Sequence, residues 1–570
     1  MSGSYDVVVI GAGHNGLVAA NYLARAGKRV LVLEARGIAG GACVTEELIP
    51  GSRWSSCAFI SGLLRPEIID ELELETRFGL EMYQSDPLGV TLFRNGDHLF
   101  MYKNIDETLR EIERYSPEDA RRFVDFGLRL KRFAKIVRPW LLTDPPSRSE
   151  VLRTFEEAGE EELFDEFVLM STRDLLGRYF ESDEVNALLN FFGMVSIWGG
   201  PSTPGTGYVW GHHSWGEFKG AFGQYGFVRG GMGGITQALA RGAAEFGVEI
   251  RLESPVLRVR VDRGRVRGVE LATGESIDAG VVVSNADPQR SLLALLEPGV
   301  LDSGIEASAQ ALDMRGSMAR IHLLIDELPH YIGFEPGEGP QHRGHQILGA
   351  SIESYERAWE AQRKGEFPDK FVIEAVIQSV HDDTLAPAGL HTMTLGVQQL
   401  PYGLAQGDWD SRRDEWADRV LEDLFHYAPN LREHIVQRRV ITPLDLEREY
   451  GLTGGNIFHG AMFLSQLFSS RPLPELSGYR TPVAGYFLCG AGTHPGGGVM
   501  GAPGHNAARA VLAELNGSSS PAMRARRKSR NKGVVDHVMS TDVGRKAGYA
   551  LVRKSAFRPF AHLASRSPKK

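Results

Sequence analysis

Cysteine is scarce in this sequence: Cys43, Cys57 and Cys489 are the only three in 570 residues, and no C-x-x-C pair occurs. A redox dithiol, a zinc half-site and a disulfide framework are therefore poor readings, and no metal is expected. Long apolar runs are also missing. None reaches the roughly 18 residues that a spanning helix needs, so no transmembrane segment is expected. Strand composition begins by Asp6 and Val7, which leaves no space for the charged, apolar and cleavage regions of a secretory leader. The expected location is cytoplasmic, with membrane association an open alternative, and mitochondrial if the source is eukaryotic. What is present is a globular composition, 42% apolar and 24% charged, with enough chain for a large buried core.

Charge is unevenly placed. The formal net charge is -9, yet from Gly517 onward 14 Lys and Arg face 2 acids, leaving 49 bases against 70 acids upstream. This basic tail follows a linker, Asn516-Gly517-Ser518-Ser519-Ser520-Pro521, and carries a dense patch from Arg524 to Lys532. Between Arg545 and Phe560 the basic residues alternate with Tyr549, Leu551, Val552 and Phe557, a pattern suited to lying on anionic lipid. A solvated segment without fixed structure fits the same composition. The body has no matching basic face, so nucleic acid is not an expected partner. The expected partner of the tail is a membrane surface, through peripheral contact.

The chain opens as strand, glycine turn, helix and strand: Val7 to Ile10, Gly11 to Gly16, Leu17 to Ala26 and Val30 to Leu33. From Pro66 to Phe222 the character is amphipathic and charge-laced, which predicts a mostly helical insertion with a helix start at Ser116-Pro117-Glu118. Strands return at 248–252, 255–261, 266–271 and 281–284, with turns at Arg263-Gly264 and Thr273-Gly274. Further strands (320–325, 371–378, 391–399) and a helix (409–427) predict a second sheet, and Tyr486 to Cys489 predicts a last buried strand before a glycine-rich loop and a helix. The expected fold class is α/β, α+β overall. A Rossmann-type FAD-binding domain (1–65, 223–300 and 471–516) would surround a discontinuous helical and mixed-sheet substrate domain (66–222 and 301–470), followed by the tail (517–570).

Gly11-Ala12-Gly13-His14-Asn15-Gly16 fits G-x-G-x-x-G. Gly11 makes the tight turn, Gly13 lets backbone approach a phosphate, and Gly16 lets the helix pack on the strand, whose N-terminus then faces the pyrophosphate. Glu34, at the end of the second strand, would hold the ribose hydroxyls and repel a 2′-phosphate. NAD and FAD share this fingerprint, and two further segments favour FAD. Glu34-Ala35-Arg36-Gly37-Ile38-Ala39-Gly40-Gly41 adds a second glycine pair beside the pyrophosphate, followed by Ala42. Cys489-Gly490-Ala491-Gly492-Thr493-His494, continuing to Val499, Met500 and Gly501, leads into a helix whose positive end suits the pyrimidine edge of a reduced flavin. No second fingerprint for NAD(P)H follows a convincing strand.

At these segments, at Arg229 to Gly234 with Val283 to Pro288, and at Leu452 to His459, the sequence resembles the carotenoid-desaturase-like FAD oxidoreductases of the phytoene desaturase and amine oxidase superfamily. The resemblance spans residues 5 to 515 and is strongest to the branch of pyridine nucleotide-disulphide oxidoreductase domain proteins. It implies that Val256 pairs its backbone with adenine and that the segment around Met500 lies by the flavin. Where the family often has arginine after the glycine pair, this chain has Ala42-Cys43. The implied activity is FAD-dependent dehydrogenation, a desaturation, of an apolar polyprenoid or lipid-like substrate. Alternatives are a carotenoid ketolase- or isomerase-type reaction, or a flavin-binding regulatory or interaction protein without turnover.

Desaturation sends a hydride to the flavin and a proton to a base or water, and orientation in a dry cavity is the protein's main contribution. Candidate acid-base residues are His494 and His459, with His212-His213 behind them; each has a bland reading as a histidine that holds loop geometry. The aromatic residues between Trp198 and Phe227 would line an apolar cavity or simply pack a core.

Overall fold

Val7 to Ile10 form an unbroken apolar run, and an unbroken run suits a strand buried on both faces of a parallel sheet. In the computed structural model, which describes residues 5–517, the strand Tyr5–Ile10 is central. It pairs in parallel with Val30–Leu33 on one side and Ser276–Ser284 on the other, with Val8 opposite both Leu31 and Val282. Glu249–Arg251 extends the first edge, and Tyr486–Leu488, from near the far end of the chain, pairs in parallel with Ser276–Ser284. Val256–Asp262 and Arg265–Leu271 complete seven strands as an antiparallel meander. Arg263 and Gly264 both have positive φ, 48° and 72°, as a two-residue hairpin turn requires.

Helices His14–Arg25 and Gly233–Glu245 pack together, joined by Asn21, whose Nδ2 donates to Leu17 O and Leu239 O at 2.8 and 2.9 Å. The chain divides into two compact units, Met1–Val511 and Leu512–Lys570. Both sheets belong to the first. Of the second, residues 512–517 are described, and they finish the helix Ala502–Leu515. The basic patch and the membrane-binding pattern of the tail lie outside the described residues.

The second sheet also has seven strands, in the order Ile435–Ile441, Met318–Ile325, His391–Gln398, Ile373–Val376, His345–Leu348, Gly89–Leu92 and His98–Met101. Its core side packs Ile321, Leu323, Leu395 and Val397 against Trp416, Val420 and Leu424 of the helix Trp409–Tyr427. The last two strands correct the expectation of a mostly helical segment from 66 to 222. They are four residues each, too short to stand out among charged neighbours, but fully or partly buried and joined by a turn at Gly96 with φ 87°. The helical layer itself forms as expected: Pro117–Val137 begins at Ser116, whose hydroxyl accepts from Asp119 N. The aromatic group divides. Trp210, Phe222 and Tyr225 reach the large cavity between the sheets and the helical layer. Tyr208 and Trp215 pack the helical core, and Trp198 meets Trp359 edge-on.

Arg471 fixes the loops around that cavity. It is 1% exposed, and its guanidinium donates to four backbone carbonyls: Ala491 at 3.2 and 2.9 Å, Ala461 at 2.8 Å, Gln466 at 3.1 Å and Phe458 at 2.5 Å. Burial pulls its pKa down to about 10, which leaves it charged at neutral pH. Replacing the planar fork by an ammonium, Arg471→Lys, strands several of these carbonyls without a donor. The expected cost is about 3 kcal/mol in urea unfolding; an unchanged midpoint would remove the guanidinium from this role.

Candidate cofactor site and catalytic cavity

The first strand stops at Gly11, at φ 93°, and the helix His14–Arg25 starts three residues later. A Cβ on Gly16 would lie 2.2 Å from Gly11 O, so only glycine lets the helix sit this close to the strand end. A Cβ on Gly13 would lie 2.6 Å from Asn285 Nδ2. No side chain caps this helix start and no acid stands in its first turn, which leaves its N-H groups and positive end for an anion. The second glycine pair closes over the same turn: Gly40 N donates to Ala12 O at 2.9 Å, and Gly41, at φ 57°, would place a Cβ 3.1 Å from Gly13 Cα. Glu34 is 7% exposed and accepts from Ala12 N at 2.7 Å and Arg36 N at 2.9 Å, which fixes its carboxylate at the mouth of the turn. Val256 begins an edge strand, whose free side has backbone to offer.

These groups share a cavity of about 900 Å³. Gly11, Gly13, His14 and Asn15 line it, as do Glu34, Ala35 and Arg36, Gly41 and Ala42, and Val256, His459 and Val499. Gly16, Gly40, Gly490, Gly492, Met500 and His494 do not line it. Gly16 and Gly40 act by close packing. So do Gly490 and Gly492, where a Cβ would meet Asn285 O at 2.8 Å and Pro288 Cδ at 2.4 Å. Met500 is 1% exposed, and its carbonyl accepts from Arg65 N.

The expected acid-base histidines separate. His494 Nε2 meets Trp140 O at 2.9 Å, and burial pushes the ring down to about 4, so it ties the glycine loop to the helical layer rather than facing the cavity. His212 Nε2 likewise meets Gly497 O at 2.9 Å. His213 lines the cavity but spends Nδ1 on Val209 O. His459 lines the cavity at φ 56°, and Val499 does so at φ 57°. Left-handed backbone at a non-glycine residue, above all a β-branched one, is strain of the kind that collects at functional sites.

Four buried polar atoms at the cavity have no hydrogen-bond partner: His14 Nε2, Asn15 Oδ1, Arg36 Nη1 and His459 Nδ1. Such atoms are costly unless a ligand meets them. Burial pushes His14 down to about 3, with His459 beside it adding to the effect, so the ring is neutral at physiological pH. Burial also lowers His459, against the pull of Asp287 and with the help of Arg471 and Arg290. Glycine-lined backbone, an uncapped helix start, a fixed carboxylate, unpartnered neutral side-chain groups and the Arg36 guanidinium fit the pyrophosphate, ribose and polar edges of FAD.

Two groups of residues escape sequence reasoning. Asn285 stands against Gly11, Gly13 and Gly16 together, in the run Val283 to Pro288, which carries part of the resemblance but gave this residue no role. Arg320, Glu374 and His345 come from three strands of the second sheet and meet at the cavity wall. Arg320 Nη1 lies 2.6 Å from Glu374 Oε1, and His345 Nε2 lies 3.3 Å from Glu374 Oε2. Gln398 Nε2 donates to Glu374 Oε1 at 3.0 Å, while Arg320 Nε and Nη2 donate to Cys57 O at 3.1 and 2.8 Å. Burial alone would raise the Glu374 carboxyl, but Arg320 and His345 outweigh it and hold it down at about 2. Arg320 and Glu374 both pair with Gly396, where a Cβ would fall 1.9 Å from Arg320 Nη1 and 2.2 Å from Glu374 Oε1. The ion pair crosses the sheet over a residue with no side chain.

Residues 16–512 match the family described as flavin containing amine oxidoreductase. The chain is 36% identical over 545 residues to pyridine nucleotide-disulfide oxidoreductase domain-containing protein 2 of Rattus norvegicus, covering 90% of this chain and 94% of that protein. It is 27% identical to one of the limonene dehydrogenase subunits of Castellaniella defragrans, covering 90% and 95%. A lycopene-forming phytoene desaturase of Pseudescherichia vulneris is more distant, at 25% over 87% and 96%. Among solved structures, cyclohexylamine oxidase from Brevibacterium oxydans has a TM-score of 0.54 at 18% identity, covering 90% of this chain and 100% of that one, which supports the fold. With the family matched across nearly the whole described chain and the cradle built to its cofactor, this protein belongs to the flavin-containing amine oxidoreductases and is an FAD-dependent oxidoreductase.

Proposed function

We propose that this enzyme dehydrogenates, by desaturation, an apolar substrate of polyprenoid or lipid-like character. The observation that carries the reading is the cavity wall beyond the cofactor cradle, built from Phe126, Phe191, Phe192, Trp210 and Phe222. Such a wall binds hydrocarbon by burial and orients it without polar contacts. Two relatives named for limonene and phytoene, both hydrocarbons, support the same class of substrate. Bound FAD supplies the two-electron acceptor. The chain's own work is to hold the substrate and keep water out, so that a carbon-hydrogen bond lies in reach of the cofactor.

Among the described residues no helix is long and apolar enough to cross a membrane. A lipid-soluble substrate would therefore reach the cavity by peripheral contact, and the basic tail has the composition for it.

Two measurements test cofactor and substrate in turn. Gly13→Val places a branched side chain where backbone should approach pyrophosphate, so FAD affinity, read from retained absorbance near 450 nm, should drop at least about tenfold while circular dichroism stays unchanged. Retention of FAD by this variant would move the pyrophosphate elsewhere. Under anaerobic conditions, phytoene dispersed in detergent should bleach the flavin band of the wild-type holoenzyme and putrescine should not. Bleaching by the amine alone would overturn the substrate class.

A further inference from the structure

The cofactor cradle makes no use of the Arg320, Glu374 and His345 cluster, yet the three side chains are 5%, 4% and 1% exposed and line the same cavity. Burying an ion pair is costly, and this one brings with it a histidine that its neutrality does not require. Glu374 is an anion and accepts only, so the hydrogen between it and His345 belongs to Nε2. The neutral ring then carries its lone pair on Nδ1. Among the described residues Nδ1 has no hydrogen-bond partner, and it is not one of the enclosed polar atoms, so it faces the cavity that the ring lines.

The surroundings suit a ring that gains and loses a proton. The Phe59 and Phe191 rings lie 6.1 and 4.9 Å from the His345 ring, and the Tyr225 ring, whose hydroxyl donates to Leu88 O, lies 6.4 Å away. The charged and titratable groups nearby are Glu374, Arg320, Tyr225, and two neighbours of Glu374, His213 and Tyr355. Glu374 is the only carboxylate among them, and its anion stabilises an imidazolium. The other histidines at the cavity are less suited: Glu374 acts on His213, and Asp287 on His459, without a hydrogen bond to the ring. His213 spends a nitrogen on a backbone carbonyl, and Arg471 and Arg290 oppose charge on His459.

We propose that His345 is the proton acceptor of the desaturation, that Glu374 is the residue that positions and charges it, and that Arg320 keeps Glu374 ionised. The proposal rests on the desaturation reading above. One carbon-hydrogen bond of the substrate breaks with both electrons, and bound FAD would supply the two-electron acceptor for that hydride. The adjacent carbon-hydrogen bond breaks the other way: its proton goes to His345 Nδ1 and its electron pair forms the new double bond. The imidazolium that results sits against the Glu374 carboxylate. Substrate specificity follows, since only a carbon pair placed beside His345 would react.

The test uses holoenzyme labelled with 13C in the histidine rings, as wild type, His345→Gln and Glu374→Gln. The expected result is one ring signal, missing in H345Q, with the shifts of the tautomer protonated at Nε2, which E374Q moves. A His345 signal that is imidazolium, or that E374Q does not move, would overturn the proposal. In the second arm, anaerobic bleaching by phytoene should slow at least about 100-fold in H345Q at unchanged FAD content, and added imidazole should restore part of the rate in His345→Gly. A rate in H345Q within about threefold of wild type also overturns it. If phytoene fails to bleach the wild type, the desaturation reading falls, and the ring signal still passes or rejects His345 on its own.

Discussion

A single buried cation, the Arg471 guanidinium, holds the cofactor end of this molecule together. It reaches carbonyls at 458, 461, 466 and 491, so it joins the segment bearing His459 to the glycine loop that follows the last parallel strand. Those two segments lie far from the N-terminal glycine turn in sequence. The parallel pairing of Tyr486–Leu488 with Ser276–Ser284, and of that strand with Tyr5–Ile10, brings them beside it. Without the guanidinium, four buried carbonyls would face one another with no donor, and the loop geometry that places Val499 and His459 on the cavity would have no anchor.

Legibility in the sequence follows the range of the interactions. The glycine turn, Glu34 and the second glycine pair were readable because each acts within a few residues or at a fixed spacing: Gly11 takes φ 93°, and a Cβ on Gly16 would lie 2.2 Å from Gly11 O. The meander, with its Arg263-Gly264 turn, was readable for the same reason. The hairpin of Gly89–Leu92 and His98–Met101 was not, because four-residue strands carry too little periodicity to compete with charged flanks. His494 illustrates the opposite error. A histidine in a glycine-rich flavin loop invites a catalytic reading, but only three-dimensional packing reveals that its ring nitrogen is occupied by Trp140 O. Nothing in the spacing of positions 320, 345 and 374 hints at a cluster. They become neighbours through sheet register alone.

The cavity therefore has two chemical ends, one supplied by the first sheet and the other by the second sheet together with the helical layer. The parallel sheet contributes backbone, glycines and helix dipole, all suited to a large polar cofactor. The second sheet contributes one self-neutralised cluster of charged side chains, and the helical layer contributes the aromatic wall. Among the residues that line the cavity, left-handed non-glycine backbone falls at His459 and Val499, where the chain is held by surrounding contacts rather than by its own preference.

Gly396 gives the arrangement an unexpected fragility. It lies mid-strand in a buried sheet, where a glycine ordinarily weakens the strand and an alanine ordinarily strengthens it. Here the smallest side chain would occupy the space through which Arg320 and Glu374 touch. Selection for stability and selection for chemistry thus pull in opposite directions at one residue, and a drift toward better strand propensity would separate the two charges while leaving the sheet, the cofactor cradle and the outward appearance of the protein intact.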